Sequence, residues 1–227
     1  DDGDIAISQD ANGLLLTGSA GSDTITIVGD VPVTVLGGDG ADVITGGDGD
    51  DSIAGGQGDD TIDGGAGADV ITGAEGDDLI DGGLGDDYLS GGDGADVIAG
   101  GQGDDIAVFA GNQSDYTFAS SPDGLTVTVT EVSTGDADTV SGVETLRFDD
   151  GDIAISQDAN GLLLTGSAGS DTITIVGDVP VTVLGGDGAD VITGAEGDDL
   201  IDGGLGDDYL SGGDGADVIA GGQGDDI

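Results

Sequence analysis

The chain has 227 residues, 49 of them acidic against one basic residue, which gives a formal net charge of −48, and it contains neither cysteine nor histidine. The charge excludes nucleic acid as a partner by its sign, and the two missing residue types exclude disulfides, zinc–thiolate sites and any catalytic triad or general base built on histidine. No apolar run is long enough to span a bilayer, so no membrane span is expected.

Residues 1–36 are predicted to form a β linker with one degenerate repeat. GSAGSDTIT at residues 18–26 keeps an aspartate after a glycine-rich turn, and IVGDVPVTVL at residues 27–36 has no ligand pattern. Asp23 is as consistent with a cation ligand as with an ordinary turn aspartate. The stretch after it is expected to be a metal-free coil or strand pair.

Residues 37–108 are eight consecutive nine-residue units that follow the form GGxGxDxUx, where U is a large aliphatic residue, with Ala74 in place of one second glycine. Glycine tolerates positive φ and close backbone approach, so each unit predicts a tight turn whose carbonyls point inward. The last three positions alternate like a very short strand. Position eight is Ile or Leu in seven of the eight units, which predicts that it faces inward and that position seven faces outward. The aspartate at position six supplies the hard oxygen ligands that Ca²⁺ prefers.

Residues 109–148 have a different texture, which predicts β-hairpins. Strands are expected at DYTFAS, LTVTVTEV and TLRF, with a Pro122-Asp123-Gly124 turn and a polar turn at residues 133–138. Most of the aromatic residues lie here, so this segment is expected to cap the open end of the preceding array. Arg147 is expected to pair with nearby acids.

The rest of the chain is an internal duplication. Residues 1–45 recur letter for letter as 149–193, and residues 73–106 recur as 194–227. Residues 149–184 therefore repeat the linker, with Asp171 in the place of Asp23. Residues 185–227 form a second array that lacks three nonapeptides and is expected to be a truncated part of a longer series of identical modules.

The nonapeptides resemble the RTX (repeats-in-toxin) calcium-binding family, of the serralysin and haemolysin type, over residues 37–108 and 185–227. The resemblance implies an all-β fold in which calcium-bound parallel β-roll arrays, with two nonapeptides to each coil, are joined by a β-hairpin-rich cap and linker. It also implies multiple Ca²⁺ ions as cofactors. About a dozen ions would bring the charge from −48 to roughly −24, so folding and metal binding are expected to be one event.

The same resemblance implies two sets of metal ligands. The position-six aspartates are implied as carboxylate ligands: Asp42, Asp51, Asp60, Asp69, Asp78, Asp87, Asp96, Asp105, Asp190, Asp199, Asp208, Asp217 and Asp226. The turn glycines are implied as carbonyl ligands: Gly38, Gly40, Gly47, Gly49, Gly56, Gly58, Gly65, Gly67, Gly76, Gly83 and Gly85. The position-five aspartates are expected to be solvated turn acids: Asp50, Asp59, Asp77, Asp86 and Asp104.

These features together predict a non-enzymatic, calcium-dependent structural repeat protein. The family resemblance implies that it is located outside the cell or on its surface after type I secretion. The predicted role is a segment of an adhesin, biofilm-matrix or surface-layer fibre that self-associates as calcium binds. The alternative is the non-catalytic RTX tail of a secreted hydrolase, toxin or polysaccharide-modifying enzyme. An ice-binding solenoid is disfavoured because the turns carry no regular Thr or Asn ladder. A glycosidase is disfavoured because the carboxylates form no isolated pair.

Overall fold

The computed structural model describes residues 6–9, 13–159 and 161–227, which form two compact units. The first unit contains the described residues up to Val108 together with Asp138–Val143. The second contains Phe109–Ala137 together with the residues described from Glu144 onward. The described residues contain one 3-10 turn, Gln113–Asp115, and otherwise only strands and loops, so the all-β prediction is confirmed.

The strands are short because each nonapeptide in mid-array has one strand of six residues, such as Ser52–Gln57 and Thr61–Ala66, followed by a turn. In the first part of the chain they are β1 (Ala6–Gln9), β2 (Leu14–Thr17), β3 (Thr24–Thr26), β4 (Val33–Asp39), β5 (Val43–Gly47), β6 (Ser52–Gln57), β7 (Thr61–Ala66), β8 (Val70–Glu75), β9 (Leu79–Leu84), β10 (Tyr88–Asp93), β11 (Val97–Gln102) and β12 (Ile106–Val108). They continue as β13 (Tyr116–Ser120), β14 (Thr126–Glu131), β15 (Ala137–Ser141), β16 (Thr145–Phe148), β17 (Gly151–Asp158), β18 (Gly161–Thr165), β19 (Thr172–Thr174), β20 (Thr182–Asp187), β21 (Val191–Thr193), β22 (Leu200–Leu205), β23 (Tyr209–Ser211) and β24 (Val218–Gln223).

The first unit is a parallel roll of two sheets. One sheet has the order β2-β4-β6-β8-β10-β12, with β1 antiparallel at the edge beside β2, and the other has the order β3-β5-β7-β9-β11-β15. Ser52 pairs with Val70 and Thr61 pairs with Leu79, so partners in neighbouring coils are 18 residues apart. Two nonapeptides therefore make one coil, as the family resemblance implied.

The core of this roll is a stack of position-eight side chains. Side chains alternate between the two faces of a strand, so position eight points inward while position seven points outward. Ile44 and Ile62 are each 1 % exposed, whereas Val43 is 46 % exposed and Leu79 is 49 % exposed. The prediction for both positions is confirmed. Their burial in a continuous column stabilises each coil by contact with its neighbours, since one short strand buries little alone.

The second unit repeats this arrangement after an antiparallel start. One sheet has the order β16-β17-β18-β20-β22-β24, and the other has the order β19-β21-β23. β16, β17 and β18 are antiparallel, and the pairs from β18 onward are parallel. Ile173, Ile192 and Ile201 are fully buried, while Ile219 in β24 is 46 % exposed.

The aromatic residues of the segment 109–148 gather in the second unit. Phe109 stacks on Phe148 with ring centroids 5.4 Å apart, and Tyr116 and Phe118 pack on Phe148 at 5.2 and 6.0 Å. The predicted strands at DYTFAS, LTVTVTEV and TLRF are confirmed as β13, β14 and β16, and β13 pairs antiparallel with β14. Arg147 makes the predicted ion pair, at 2.9 Å from Asp152.

The predicted turn at residues 133–138 is wrong at its end, because the chain is already extended in β15 from Ala137. β15 pairs parallel with β11, and Val97 faces Thr139 in this register. The polar composition around Asp136 favoured a turn, whereas pairing with a distant strand decides the conformation from Ala137 onward.

Candidate metal sites

The position-six aspartates lie where each turn meets the following strand, and their carboxylates point inward. Asp69 is two residues before Ile71, so alternation puts both side chains on the same face. Asp69 is 1 % exposed and Asp78 is 2 % exposed. The buried members of the predicted set are Asp42, Asp51, Asp60, Asp69, Asp78, Asp87, Asp96, Asp105, Asp190, Asp199 and Asp208. The other two, Asp217 and Asp226, are half-buried.

One carboxylate oxygen of each aspartate joins successive coils. Oδ1 of Asp60 accepts the backbone N–H of Asp42 at 2.7 Å, and Oδ1 of Asp78 accepts that of Asp60 at 2.8 Å. A second ladder runs through Asp51, Asp69 and Asp87. The array in the second unit repeats the pattern, for example from Asp190 to Asp208. Oδ1 therefore already accepts a backbone hydrogen bond from a neighbouring coil.

The other carboxylate oxygen is buried and, within the residues that the structure describes, accepts no hydrogen bond in eight of these aspartates: Asp42, Asp51, Asp60, Asp69, Asp78, Asp87, Asp190 and Asp208. A buried carboxylate oxygen without a partner costs several kcal/mol unless a cation or donor meets it. Repetition of the same unsatisfied atom in coil after coil indicates a ligand that occupies the turns.

A glycine carbonyl lies beside each such oxygen. A methyl group built on Gly64 would stand 2.5 Å from Oδ2 of Asp69 and 2.6 Å from the carbonyl oxygen of Gly82. Both oxygens therefore lie within 2.6 Å of the same point. The oxygen ligands of one calcium ion lie about 2.3–2.6 Å from the ion. These two oxygens are thus close enough together to bind one ion. The same pair of oxygens recurs beside the first glycine of most repeats in both units. The sequence reasoning did not name position one as a candidate ligand position.

The glycines at positions two and four, predicted as ligands, have a clear structural role. All of the predicted set have positive φ except Gly49. A methyl group on Gly58, at φ +114°, would stand 2.6 Å from the carbonyl oxygen of Gly40, so no side chain fits between these turns. Their carbonyls as calcium ligands stay a prediction. Ala74 takes position two with φ 91°, the single non-glycine residue with positive φ in the described part of the chain.

The surroundings of the position-six carboxyl groups disfavour their ionised form. Burial raises the pKa of Asp69 to about 6 and that of Asp78 to about 7, and the charges of neighbouring aspartates in the ladder add to the rise. Burial likewise raises the pKa of other position-six carboxyls: Asp42, Asp51, Asp60, Asp87 and Asp190. A bound divalent cation removes this penalty and favours the ionised form.

The position-five aspartates differ from their neighbours at position six. Asp59 and Asp50 are exposed. Oδ1 of Asp59 accepts the N–H of Asp77 at 3.1 Å, and Oδ1 of Asp50 accepts that of Ala68 at 2.9 Å. They are solvent-facing acids, with an additional hydrogen bond between coils that the sequence did not indicate.

The aspartates of the two degenerate repeats still take part in the ladder of hydrogen bonds between coils. Their second carboxylate oxygen, however, has a hydrogen-bond partner. Oδ1 of Asp42 accepts the N–H of Asp23, yet Oδ2 of Asp23 accepts the N–H of Ser19 at 2.6 Å. Asp171 accepts the N–H of Ser167 in the same way, at 2.7 Å. Both aspartates therefore have the contacts of turn residues.

In the described part of the chain, side chains alone do not form a metal site. Among the described residues, no group of three or more carboxylates is placed to hold one ion. A calcium ion takes six to eight oxygens, so one carboxylate for each repeat has to be complemented by backbone carbonyls. The buried Oδ2 atoms and the glycine carbonyls beside them are hard oxygen donors and fit that requirement.

Comparisons with known proteins agree with this geometry. A family model described as RTX calcium-binding nonapeptide repeat matches four times, at residues 36–71, 72–107, 182–210 and 193–227, which together make up more than half of the chain. No curated protein sequence matches the chain. The described residues contain no helix that is long and apolar enough to cross a membrane.

Among solved structures, the chain is similar to the extracellular lipase LipA from Serratia marcescens, with 22 % identity over 84 % of this chain. The matched region spans 29 % of the lipase chain, and the TM-score is 0.28, a weak structural similarity.

Proposed function

The chain belongs to the family of RTX calcium-binding nonapeptide repeats, whose members bind several calcium ions, and on this premise we propose that it is a non-catalytic structural module that folds outside the cell as calcium fills its turns. The observation that carries the proposal is the row of buried carboxylate oxygens without a protein partner, repeated at Asp42, Asp60 and Asp78 on one ladder. In the proposed sites, a position-six carboxylate and a position-one carbonyl would hold each ion. Calcium would supply positive charge where the fold buries negative charge.

The charge supports folding that depends on calcium. With 49 acidic residues and one basic residue, the metal-free chain repels itself, and its short strands bury too little apolar surface to overcome the loss of chain entropy. Extracellular modules bind calcium with dissociation constants of about 10⁻⁴ to 10⁻³ M. Affinity in that range would leave the chain unfolded at the far lower calcium concentration inside a cell and fold it outside.

The test is a calcium titration followed by far-ultraviolet circular dichroism. We expect a coil spectrum in chelator and a β spectrum as calcium reaches about 10⁻⁴ to 10⁻³ M. Magnesium should substitute poorly, because it demands a smaller octahedral site. A fully β spectrum in excess chelator would contradict the proposal.

A pair of double variants gives the matched control. Asp69→Asn with Asp87→Asn removes two proposed ligands, whereas Asp86→Asn with Asp104→Asn removes the same charge at position five. We expect the first pair to lower the number of bound calcium ions and to shift the folding midpoint to higher calcium. The second pair should keep the wild-type ion count.

A role in a fibre, matrix or adhesin is the finer part of the proposal. It is supported by the identical modules in series and by the apolar position-seven rows, in which Val43, Leu79 and Val97 are each more than 40 % exposed. Such rows offer lateral contacts once calcium lowers the charge repulsion between chains.

A further inference from the structure

The segment Asp138–Val143 is placed in the first unit as if it were part of the array. Its sequence, DTVSGV, has an aspartate, an aliphatic two residues later and a glycine two residues after that, as in positions six, eight and one of the nonapeptide. Ladder partners within the nonapeptide array are 18 residues apart, as Asp78 and Asp96 are, whereas Asp96 and Asp138 are 42 apart. Asp138–Val143 is therefore a half-repeat that an insertion separates from the array. Because of the insertion, it is out of phase with the nine-residue period.

Three residues of the half-repeat, Asp138, Thr139 and Val140, have the contacts of their positions in the array. Oδ1 of Asp138 accepts the N–H of Asp96 at 2.8 Å, which extends the ladder of position-six aspartates. Val140 is 1 % exposed and pairs with Ile98, as a position-eight residue does. Thr139 pairs with Val97 on the outer row.

Gly142 brings a carbonyl to the last aspartate of the array. A methyl group on Gly100 would stand 2.6 Å from Oδ2 of Asp105, and the carbonyl oxygen of Gly142 lies closer still to the same point. This is the arrangement that Asp69 and Gly82 make beside Gly64. Asp105 is 1 % exposed, so its carboxylate is as buried as those in mid-array.

We propose that Asp105 and the carbonyl of Gly142 form an additional calcium site, built from two segments that the intervening hairpin separates. The proposal rests on the proposed function, because it assigns calcium to the oxygen pair that recurs in the array. An ion bound here fastens Asp138–Val143 to the last coil. The roll is thus closed by a strand that docks only when calcium is present.

The test counts bound calcium by equilibrium dialysis of the whole chain and follows hydrogen exchange of the amides in 138–143. Asp105→Asn keeps an oxygen for the N–H of Asp87 but removes the charged ligand, and Val140→Asp loosens the returning strand. We expect each variant to lose about one ion and the calcium-dependent protection of 138–143.

Two controls carry the same chemical changes nearby. Asp104→Asn alters an exposed position-five acid, and Val132→Asp alters a side chain that is 64 % exposed. Both should keep the wild-type ion count and the protection of 138–143.

The outcomes separate this site from the function on which it rests. An unchanged ion count in Asp105→Asn or in Val140→Asp, with calcium still protecting mid-array residues 43–62, would overturn the site and leave the proposed function standing. Absence of calcium-dependent protection anywhere in the wild-type chain would overturn both.

Discussion

At the scale of single residues, the two oxygens of a position-six carboxylate have separate tasks. Oδ1 of Asp69 accepts the N–H of Asp51 at 2.7 Å and links two coils, while Oδ2 is buried beside the carbonyl of Gly82. In other repeats, position five adds a carboxylate of equal charge that is exposed to solvent, such as Asp59 beside Asp60. Net charge and ligand geometry can therefore be tested separately in adjacent residues.

Asp69→Ala is expected to lower the calcium stoichiometry and to leave the buried N–H of Asp51 without an acceptor, which costs about 1–3 kcal/mol. Asp59→Ala removes the same charge but an exposed hydrogen bond, so its effect should stay within about 0.5 kcal/mol. Denaturation in saturating calcium, with a calcium titration of each variant, measures both. Equal effects would mean that position six is not the ligand position.

The raised carboxyl pKa values predict opposite pH dependences with and without calcium. The pKa is raised to about 6 in Asp69 and to about 7 in Asp78, chiefly by burial, whereas aspartates of the unfolded chain titrate near 3.9. Between these values the folded chain binds more protons than the unfolded chain, so metal-free stability is greatest at low pH and is lost as the pH rises toward about 7.

In chelator, acidification from pH 8 to pH 5.5 should therefore increase the β signal in circular dichroism. In limiting calcium, the same acidification should weaken calcium binding, because protons compete for the carboxylates. A β signal in chelator that falls on acidification would contradict the assignment of these buried groups.

At the scale of elements, a side-chain amide takes the place of a backbone group at the start of the second roll. Gln113, in the 3-10 turn, is fully buried; its Nε2 donates to Oδ1 of Asp171 at 2.7 Å, and its Oε1 accepts the N–H of Thr172 at 2.8 Å. In mid-array, the donor to Oδ1 is the backbone N–H of the preceding coil. The 3-10 turn therefore gives the start of β19 the hydrogen bonds that a preceding coil would otherwise provide.

Gln113→Leu is expected to destabilise the second unit, since each buried polar group left unpaired costs about 1–3 kcal/mol. The amides of Thr172 to Thr174 should exchange faster with solvent hydrogen, which mass spectrometry of exchanged peptides would measure. Gln223→Leu, at an exposed position of β24, is the control and should leave both stability and exchange unchanged. Normal protection in Gln113→Leu would show that β19 does not depend on this amide.

At the scale of the whole molecule, the proposed association depends on charge and on repetition. The net charge of −48 keeps chains apart, and bound calcium would remove much of this repulsion. In the proposed fibre, the outward row Thr61, Leu79 and Val97 would then be available for side-to-side contact, and identical modules would supply length.

Electron microscopy of the native full-length protein in millimolar calcium is expected to show thin fibres that dissolve on chelation. Leu79→Lys should weaken lateral association, whereas Thr61→Lys, its polar neighbour in the same row, adds the same charge and should weaken it less. Isolated compact particles with an enzyme domain attached would instead favour the secretion-tail alternative.

The sequence by itself determined the features that depend on local spacing. The nine-residue period and the alternation within three residues were enough to predict the glycine-rich turns and the buried position-eight column, because these features repeat without reference to distant residues. The coil of two nonapeptides was implied by the family resemblance. The strands of the hairpin β13–β14 were also predicted, since they are adjacent in the chain and have a turn between them.

Only the tertiary structure decided the contacts that join distant segments. β15 pairs with β11 across 42 residues, Gln113 stands in for a backbone amide 59 residues before Thr172, and the carbonyl beside each carboxylate comes from the next coil. A backbone carbonyl has no signature in the sequence, and a half-repeat such as Asp138–Val143 is out of phase with the period. Their roles follow from hydrogen bonding and burial in the folded roll, which bring together groups that the linear spacing keeps apart.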